Sequence, residues 1–166
     1  MSEPVERPTT QGEQRWSGLT LAEYVRQRNG VPLGHSDSLR NMLQRSFGAG
    51  SFAGFWQYWN PIWGYGLGRF IYSPLRRFLP PVVAVLLTFF LSGAIHDLAT
   101  MAVRRSGAFL FTPWFLLLGG GVVAGRALGM DLSGWSWIGR AAVNLAYLLL
   151  SLALALLLKR LFAVPW

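Results

Sequence analysis

The chain has 166 residues, 52% of them hydrophobic and 13% charged, with a formal net charge of +8. The charged share is about half the usual soluble value and the apolar excess lies in three long runs, so the composition points to a single integral membrane domain. The basic balance suits anionic lipid headgroups and cytoplasmic flanks rather than nucleic acid, for which no motif is present, and the absence of cysteine excludes disulfides, thiolate catalysis and zinc–thiolate sites.

Residues 1–18 read as a disordered polar tail, rich in Pro, Glu, Thr and Gln. The N-terminus lacks the apolar core of a signal peptide, so insertion is expected to depend on the later helices. Residues 19–50 read as short amphipathic surface helices. Thr20-Leu21-Ala22-Glu23 fits a capping box, opening a helix that Asn29-Gly30 and Pro32 break. Ser36 or Asp37 caps a second helix with Leu39, Met42, Leu43 and Phe47 at helical spacing. It suits either a membrane surface or an ordinary cytosolic appendage. His35, in a polar loop, reads as a surface residue.

Residues 51–166 read as the membrane module. Gly48-Ala49-Gly50 is a hinge. Beyond it Phe52, Phe55, Trp56, Trp59 and Trp63 fall at three- and four-residue spacings, giving one aromatic helix face with Asn60 on the same side. Trp and Tyr favour membrane interfaces. Pro61 bends or ends the helix, and Gly64, Gly66 and Gly68 loosen the segment beyond it. A broken, half-buried helix is therefore expected in place of a full span.

Pro80-Pro81 opens the first clear span, about Val82 to Met101, long enough to cross a bilayer. Thr88, Ser92, His96 and Thr100 recur every four residues and form one polar stripe, which must face protein or water rather than lipid. Asp97 lies about 100° round from His96, and spacing leaves its orientation open. The second span is expected from about Ala108 to Leu128, interrupted by Pro113 and Gly119-Gly120-Gly121, with Gly121-x-x-x-Gly125 allowing close helix contact and Arg126 snorkelling to the interface. Residues 131–139 read as an interfacial loop with Trp135 and Trp137. The third span is expected from about Arg140 to Leu158, with Asn144, Tyr147 and Ser151 as its few polar groups. The fold class is thus all-α and multi-pass, with about three spans preceded by amphipathic or re-entrant helices. Arg69, Arg76 and Arg77 against Arg104-Arg105 favour a cytoplasmic N-terminus.

His96 has two readings, both set by its place in an apolar helix. A charged side chain there costs about 2.5–3.5 kcal/mol on insertion scales, so a neutral imidazole with hydrogen-bond partners is expected. Such a ring is either a satisfied packing group or a base that takes a proton from an alcohol or amine. An amide such as Asn60 can donate to a developing oxyanion or hold an acyl donor. Ser92, four residues before His96, reads as a bonding partner more readily than as a nucleophile. Haem ligation lacks a second intramembrane histidine.

The order Phe55-Trp56-x-x-Trp59-Asn60, Tyr72-x-Pro74-Leu75 and Phe90-Leu91-Ser92-Gly93-x-x-His96-Asp97 resembles the membrane-bound O-acyltransferases, in particular the branch with sterol, diacylglycerol and wax-ester acyltransferases. It covers about Ser51 to Thr100. The resemblance implies a short form of that family, transferring a fatty acyl group from acyl-CoA, a co-substrate and not a cofactor, to a hydroxyl of a lipid-like acceptor. It assigns His96 and Asn60 as catalytic, and Trp56, Trp59, Ser92 and Arg69 as substrate-binding, with the donor phosphates near Arg69, Arg76 and Arg77. Those arginines suit membrane anchoring more readily. No metal is called for, and the implied partners are membrane lipids and acyl-CoA. Family members are longer and often carry a basic residue where Gln57-Tyr58 stand, so a second copy or another subunit is expected to supply further helices. The alternative is a non-catalytic membrane subunit or lipid-binding scaffold related to these enzymes.

Overall fold

The computed structural model describes residues 18–105 and 109–161, and the expected tail lies outside them but for Gly18. The described residues are all-helical. In chain order, α1 spans Leu21–Asn29, α2 Ser38–Phe47, α3 Phe52–Tyr58 and α4 Pro61–Leu67. A π-helical turn covers Gly68–Tyr72, followed by α5 at Ser73–Arg76. Then come the long helices, α6 at Pro81–Arg104, α7 at Phe111–Ala127 and α8 at Trp137–Leu161.

Local chemistry sets the short elements. Thr20 Oγ1 accepts from the Glu23 N–H while the Glu23 carboxylate accepts from the Thr20 N–H, so the capping box is formed, and Gly30 ends α1 in the left-handed region. The Thr20 N–H and the Thr20 hydroxyl both donate to the Glu23 carboxylate and hold it below the usual carboxylate range, the backbone bond contributing most. Asp37 stands at the start of α2, but its side chain makes no capping bond. Its backbone N–H donates instead to His35 Nδ1 at 3.1 Å. The apolar stripe expected on α2 divides: Phe47 packs edge-on against Phe55 and Trp59, whereas Leu39 and Leu43 are exposed.

The aromatic stretch breaks at Asn60, with Pro61 as the first residue of α4. Of the glycines expected to loosen the next segment, Gly64 and Gly66 lie within α4 and Gly68 opens the π-helical turn, where the irregularity falls. Pro74 has no N–H to give Phe70, and its ring crowds that carbonyl, so a regular helix cannot run through it. Widening the preceding turn removes the conflict.

Two helices, α6 and α8, are long and apolar enough to cross a membrane. Only 28% of the most apolar stretch of α6 and 11% of that of α8 is buried inside the protein. A soluble core helix would be mostly covered. The expected second span is shorter: α7 has 17 residues, about 26 Å at 1.5 Å per residue, against a hydrocarbon core of about 30 Å. Pro113 and the triple glycine do not interrupt it. Pro113 sits in the first turn, where no intrahelical donor is needed, and the glycines stay helical. α8 begins three residues earlier than expected, because Trp137 joins the helix and its indole N–H donates to Gln44 O at 3.0 Å.

Close approach is made by one member of the expected pair, Gly121, and by Gly93. Gly125 has open space around it, while a Cβ on Gly121 would meet the Tyr147 ring at 2.5 Å. Gly93 is the tightest backbone contact: a Cβ there would stand 2.7 Å from Phe111 O and 2.8 Å from Thr112 Cα. Neither neighbour is a side chain that can swing away. Gly93→Ala is therefore expected to destabilise by about 1–3 kcal/mol or more, read as a lower thermal midpoint in detergent. An unchanged midpoint would mean that α6 and α7 separate freely.

A core of Ala49, Phe52, Phe55, Val85, Leu118 and Val122 joins the short helices to the long ones. The few polar groups of α8 are spent on this docking. Asn144, fully buried, donates to Phe47 O and Ala49 O at 3.2 and 3.1 Å. The Tyr147 ring stacks on Phe52 at 4.6 Å, and Ser151 Oγ accepts from the Trp114 indole at 3.1 Å.

Candidate functional site

The short helices close over the polar stripe of α6 and leave a cavity of about 560 Å3 between them. Tyr24 and Arg28 of α1, Trp56 and Gln57 of α3, and Trp59 and Asn60 of the following link form one side. Trp63 of α4 and Tyr72 of the π-helical turn continue the wall. Thr88, Phe89, Ser92 and His96 of α6, with Phe115 and Arg126 of α7, form the other. The wall combines Trp, Tyr and Phe rings with a similar number of polar or charged groups, and a concave site of this kind can bury and orient a small molecule.

His96 is held on its own helix. Its Nδ1 lies 2.7 Å from the backbone carbonyl of Ser92. A carbonyl only accepts, so Nδ1 carries the proton, and in the neutral ring Nε2 keeps a lone pair. Among the described residues no protein group bonds to Nε2. Trp63 meets the imidazole edge-on at 5.5 Å, and Phe111 and Phe115 flank it at 5.5 and 5.0 Å. The ring is thereby fixed in direction as well as tautomer. The Ser92 hydroxyl does not bond to it: Ser92 Oγ accepts from the Trp63 indole N–H at 3.0 Å, fastening α4 to α6 beside the histidine.

Asn60 is in the left-handed region, φ 42°, which asparagine tolerates better than most residues. Its Oδ1 accepts from the Trp63 N–H at 3.2 Å, so it caps α4. That bond orients the amide and leaves Nδ2 without a partner among the described residues. The same segment thus places Trp63 against His96 and exposes an amide donor to the shared cavity.

Of the residues assigned from the sequence, His96, Asn60, Trp56, Trp59 and Ser92 all line this cavity, and Arg69 does not. Arg69 donates to Tyr65 Oη at 2.9 Å and stacks over that ring. Arg76 donates to Leu79 O at 2.8 Å. The cations at the cavity are Arg28, which bonds Gln57 Oε1 at 3.0 Å, and Arg126. Neither is close in sequence to the histidine, and no local pattern marks them.

The decisive residue that spacing left open is Asp97. It is 1% exposed. Its carboxylate accepts from the N–H groups of Leu110, Phe111 and Thr112 at 3.0, 2.8 and 2.7 Å, and from the Thr112 hydroxyl. It therefore caps α7 from the neighbouring helix, satisfying donors that a helix start leaves orphaned. That bond network sets Phe111 and Phe115 beside His96. No group of three or more His, Cys, Asp or Glu able to hold a metal occurs among the described residues. Compared with protein-family models, curated proteins and solved structures, the chain matches none.

Proposed function

We propose that the protein is an integral membrane acyltransferase, a short form resembling the membrane-bound O-acyltransferases, that moves a fatty acyl group from acyl-CoA to a hydroxyl of a lipid-like acceptor. In this reading α6, α7 and α8 all cross the bilayer and the N-terminus is cytoplasmic. The observation that carries it is the Nδ1–Ser92 carbonyl bond, which leaves Nε2 of His96 as an unpaired acceptor in a cavity shared with the amide of Asn60.

Nε2 takes the proton of the acceptor hydroxyl as its oxygen attacks the thioester carbonyl. The imidazolium that forms is stabilised through Nδ1–H by the Ser92 carbonyl. Asn60 Nδ2 donates to the carbonyl oxygen as it gains charge. The intermediate collapses with cleavage of the carbon–sulfur bond, and the thiolate takes the proton back from His96, leaving an ester and free CoA. The aromatic wall lowers the local dielectric, which strengthens each of these interactions.

The test is acyl transfer by the purified full chain in nanodiscs, with palmitoyl-CoA and a panel of sterol, diacylglycerol and long-chain alcohol acceptors. An ester product with at least one acceptor is expected. No product with any of them turns the reading to a non-catalytic lipid-binding subunit. Asn60→Asp separates two roles of one residue. Aspartate keeps an oxygen for the Trp63 N–H and tolerates the left-handed backbone, but it loses the donor. The rate is expected to fall by about 10²- to 10³-fold with helix content unchanged by circular dichroism. A wild-type rate would show that Asn60 is only a cap.

A further inference from the structure

A second, more polar cavity adjoins the first on the side away from His96. Arg45 of α2, Arg126 of α7 and Arg140 of α8 line it, with Asp131 and Ser133 of the α7–α8 link. Three guanidinium groups from three different helices thus meet a single carboxylate. Among the described residues none of the three pairs with Asp131. That carboxylate accepts instead from the Ser133 hydroxyl and the Ser133 N–H, at 2.5 and 2.8 Å. Arg45 spends one N–H on Arg28 O at 3.1 Å. The guanidinium groups of Arg126 and Arg140 make no hydrogen bond to the described residues, and Nε of Arg140 is buried without a partner.

Arg45 and Arg126 are exposed and Arg140 is half-buried; cations grouped on one groove repel one another, and the buried Nε of Arg140 left unpaired costs about 1–3 kcal/mol. The arrangement is stabilised by an anion with several acceptor oxygens, and the planar, forked guanidinium suits phosphate. The two cavities are continuous in their walls: Ala53, Gln57 and Arg126 line both. A ligand with a charged head and an apolar tail matches a cationic groove that shares a wall with a cavity rich in aromatic rings.

We propose that the Arg45–Arg126–Arg140 chamber binds the phosphate group of an amphiphile whose hydrocarbon tail passes Ala53 and Gln57 into the cavity holding His96. Arg126 contacts both parts of the ligand. The inference does not depend on His96 acting as a base. It differs from the sequence-based expectation, in which Arg69, Arg76 and Arg77 take the phosphates. Two sources supply this chemistry, a phospholipid headgroup in the bilayer and a water-soluble phosphorylated acyl thioester.

The test is direct binding by the full chain in dodecyl maltoside, followed by intrinsic tryptophan fluorescence, with monododecyl phosphate and dodecanol as probes. The phosphate is expected to bind at least about tenfold more tightly than the alcohol, with salt weakening only the phosphate. Arg126→Gln and Arg140→Gln, which break no internal hydrogen bond, are each expected to lose about tenfold of that preference. Arg77→Gln, outside the chamber, keeps it. Displacement by phosphatidic acid supplied in nanodiscs identifies a lipid headgroup, and displacement by lauroyl-CoA identifies a soluble donor. Equal affinity for the phosphate and the alcohol overturns the proposal. So does wild-type binding by the Arg126→Gln/Arg140→Gln double variant, or displacement by neither competitor. Binding is read without turnover, so its failure is distinguishable from failure of acyl transfer.

Discussion

His96→Ala is expected to lower the rate of acyl transfer by about 10²- to 10⁴-fold, while the KM for the acyl donor stays close to wild type. The reason is positional. The imidazole contributes a lone pair at Nε2, and its Nδ1 bond to the Ser92 carbonyl keeps that lone pair from rotating away. Removing it takes away an interaction needed when the proton moves, and leaves the walls that hold the donor intact, so kcat and kcat/KM fall together. Alanine is the best helix former, so α6 itself persists. Three neighbouring rings lose a packing partner, and a modest fall in stability accompanies the loss. The pH profile separates the two roles: a base imposes an acidic limb on the rate, and the residual activity of the variant lacks that limb. If the variant retains the wild-type rate, or its residual activity keeps the same acidic limb, His96 is a packing group and the catalytic assignment falls.

The second large effect is expected at Asp97. Asp97→Ala strips the acceptor from three backbone N–H groups and one hydroxyl at the start of α7. Loss of a cap costs about 1–2 kcal/mol, and each donor left buried and unsatisfied adds to that, so a total of about 3 kcal/mol or more is expected. For a chain of this size that corresponds to a thermal midpoint lower by on the order of 10 °C, measured by following unfolding in detergent. Asp97→Asn keeps one acceptor oxygen and is expected to fall between the two. The loss does not stop at stability. Phe111 comes directly after the first capped residue, and Phe111 and Phe115 are the rings that flank His96. Freeing the first turn of α7 loosens the imidazole, so acyl transfer should decline even at temperatures where the variant is folded. A midpoint within about 2 °C of wild type, well inside the shift a lost cap produces, would show that water or other groups replace the carboxylate.

The Asp97 carboxylate on α6 thus ties the first turn of α7 at one end of the long helices. At the other end Asn144 and Tyr147 of α8 dock the short helices. His96 lies between the two ties, which suits a group that must hold its direction.

Much of this architecture is written in local pattern. The capping box at Thr20 and Glu23, the break at Asn60-Pro61, the uninterrupted apolar run of α6 and its four-residue polar stripe each depend on neighbours within a turn or two. Steric and hydrogen-bonding rules act at that range, so spacing suffices to read them. The same is true of the aromatic face from Phe52 to Trp63, where Trp56, Trp59 and Trp63 do gather at one cavity with His96.

What spacing could not reach was decided by contacts between residues far apart in the chain. Asp97 looked like a neighbour of His96 of unknown direction; folding turned it to α7, because the orphaned N–H groups of a buried helix start need an acceptor there. Gly121 and Gly125 looked like a pair, yet only Gly121 lies where another side chain presses in. Arg69, Arg76 and Arg77 looked like the cations of the site from their place beside the motif, but in space Arg28 and Arg126 line it. The composition and periodicity of this chain by themselves determine that it is helical, apolar and built around a histidine-bearing stripe. Which charges face that stripe, and which helix start the Asp97 carboxylate caps, the tertiary structure alone decides, since both depend on pairings between residues far apart in the chain.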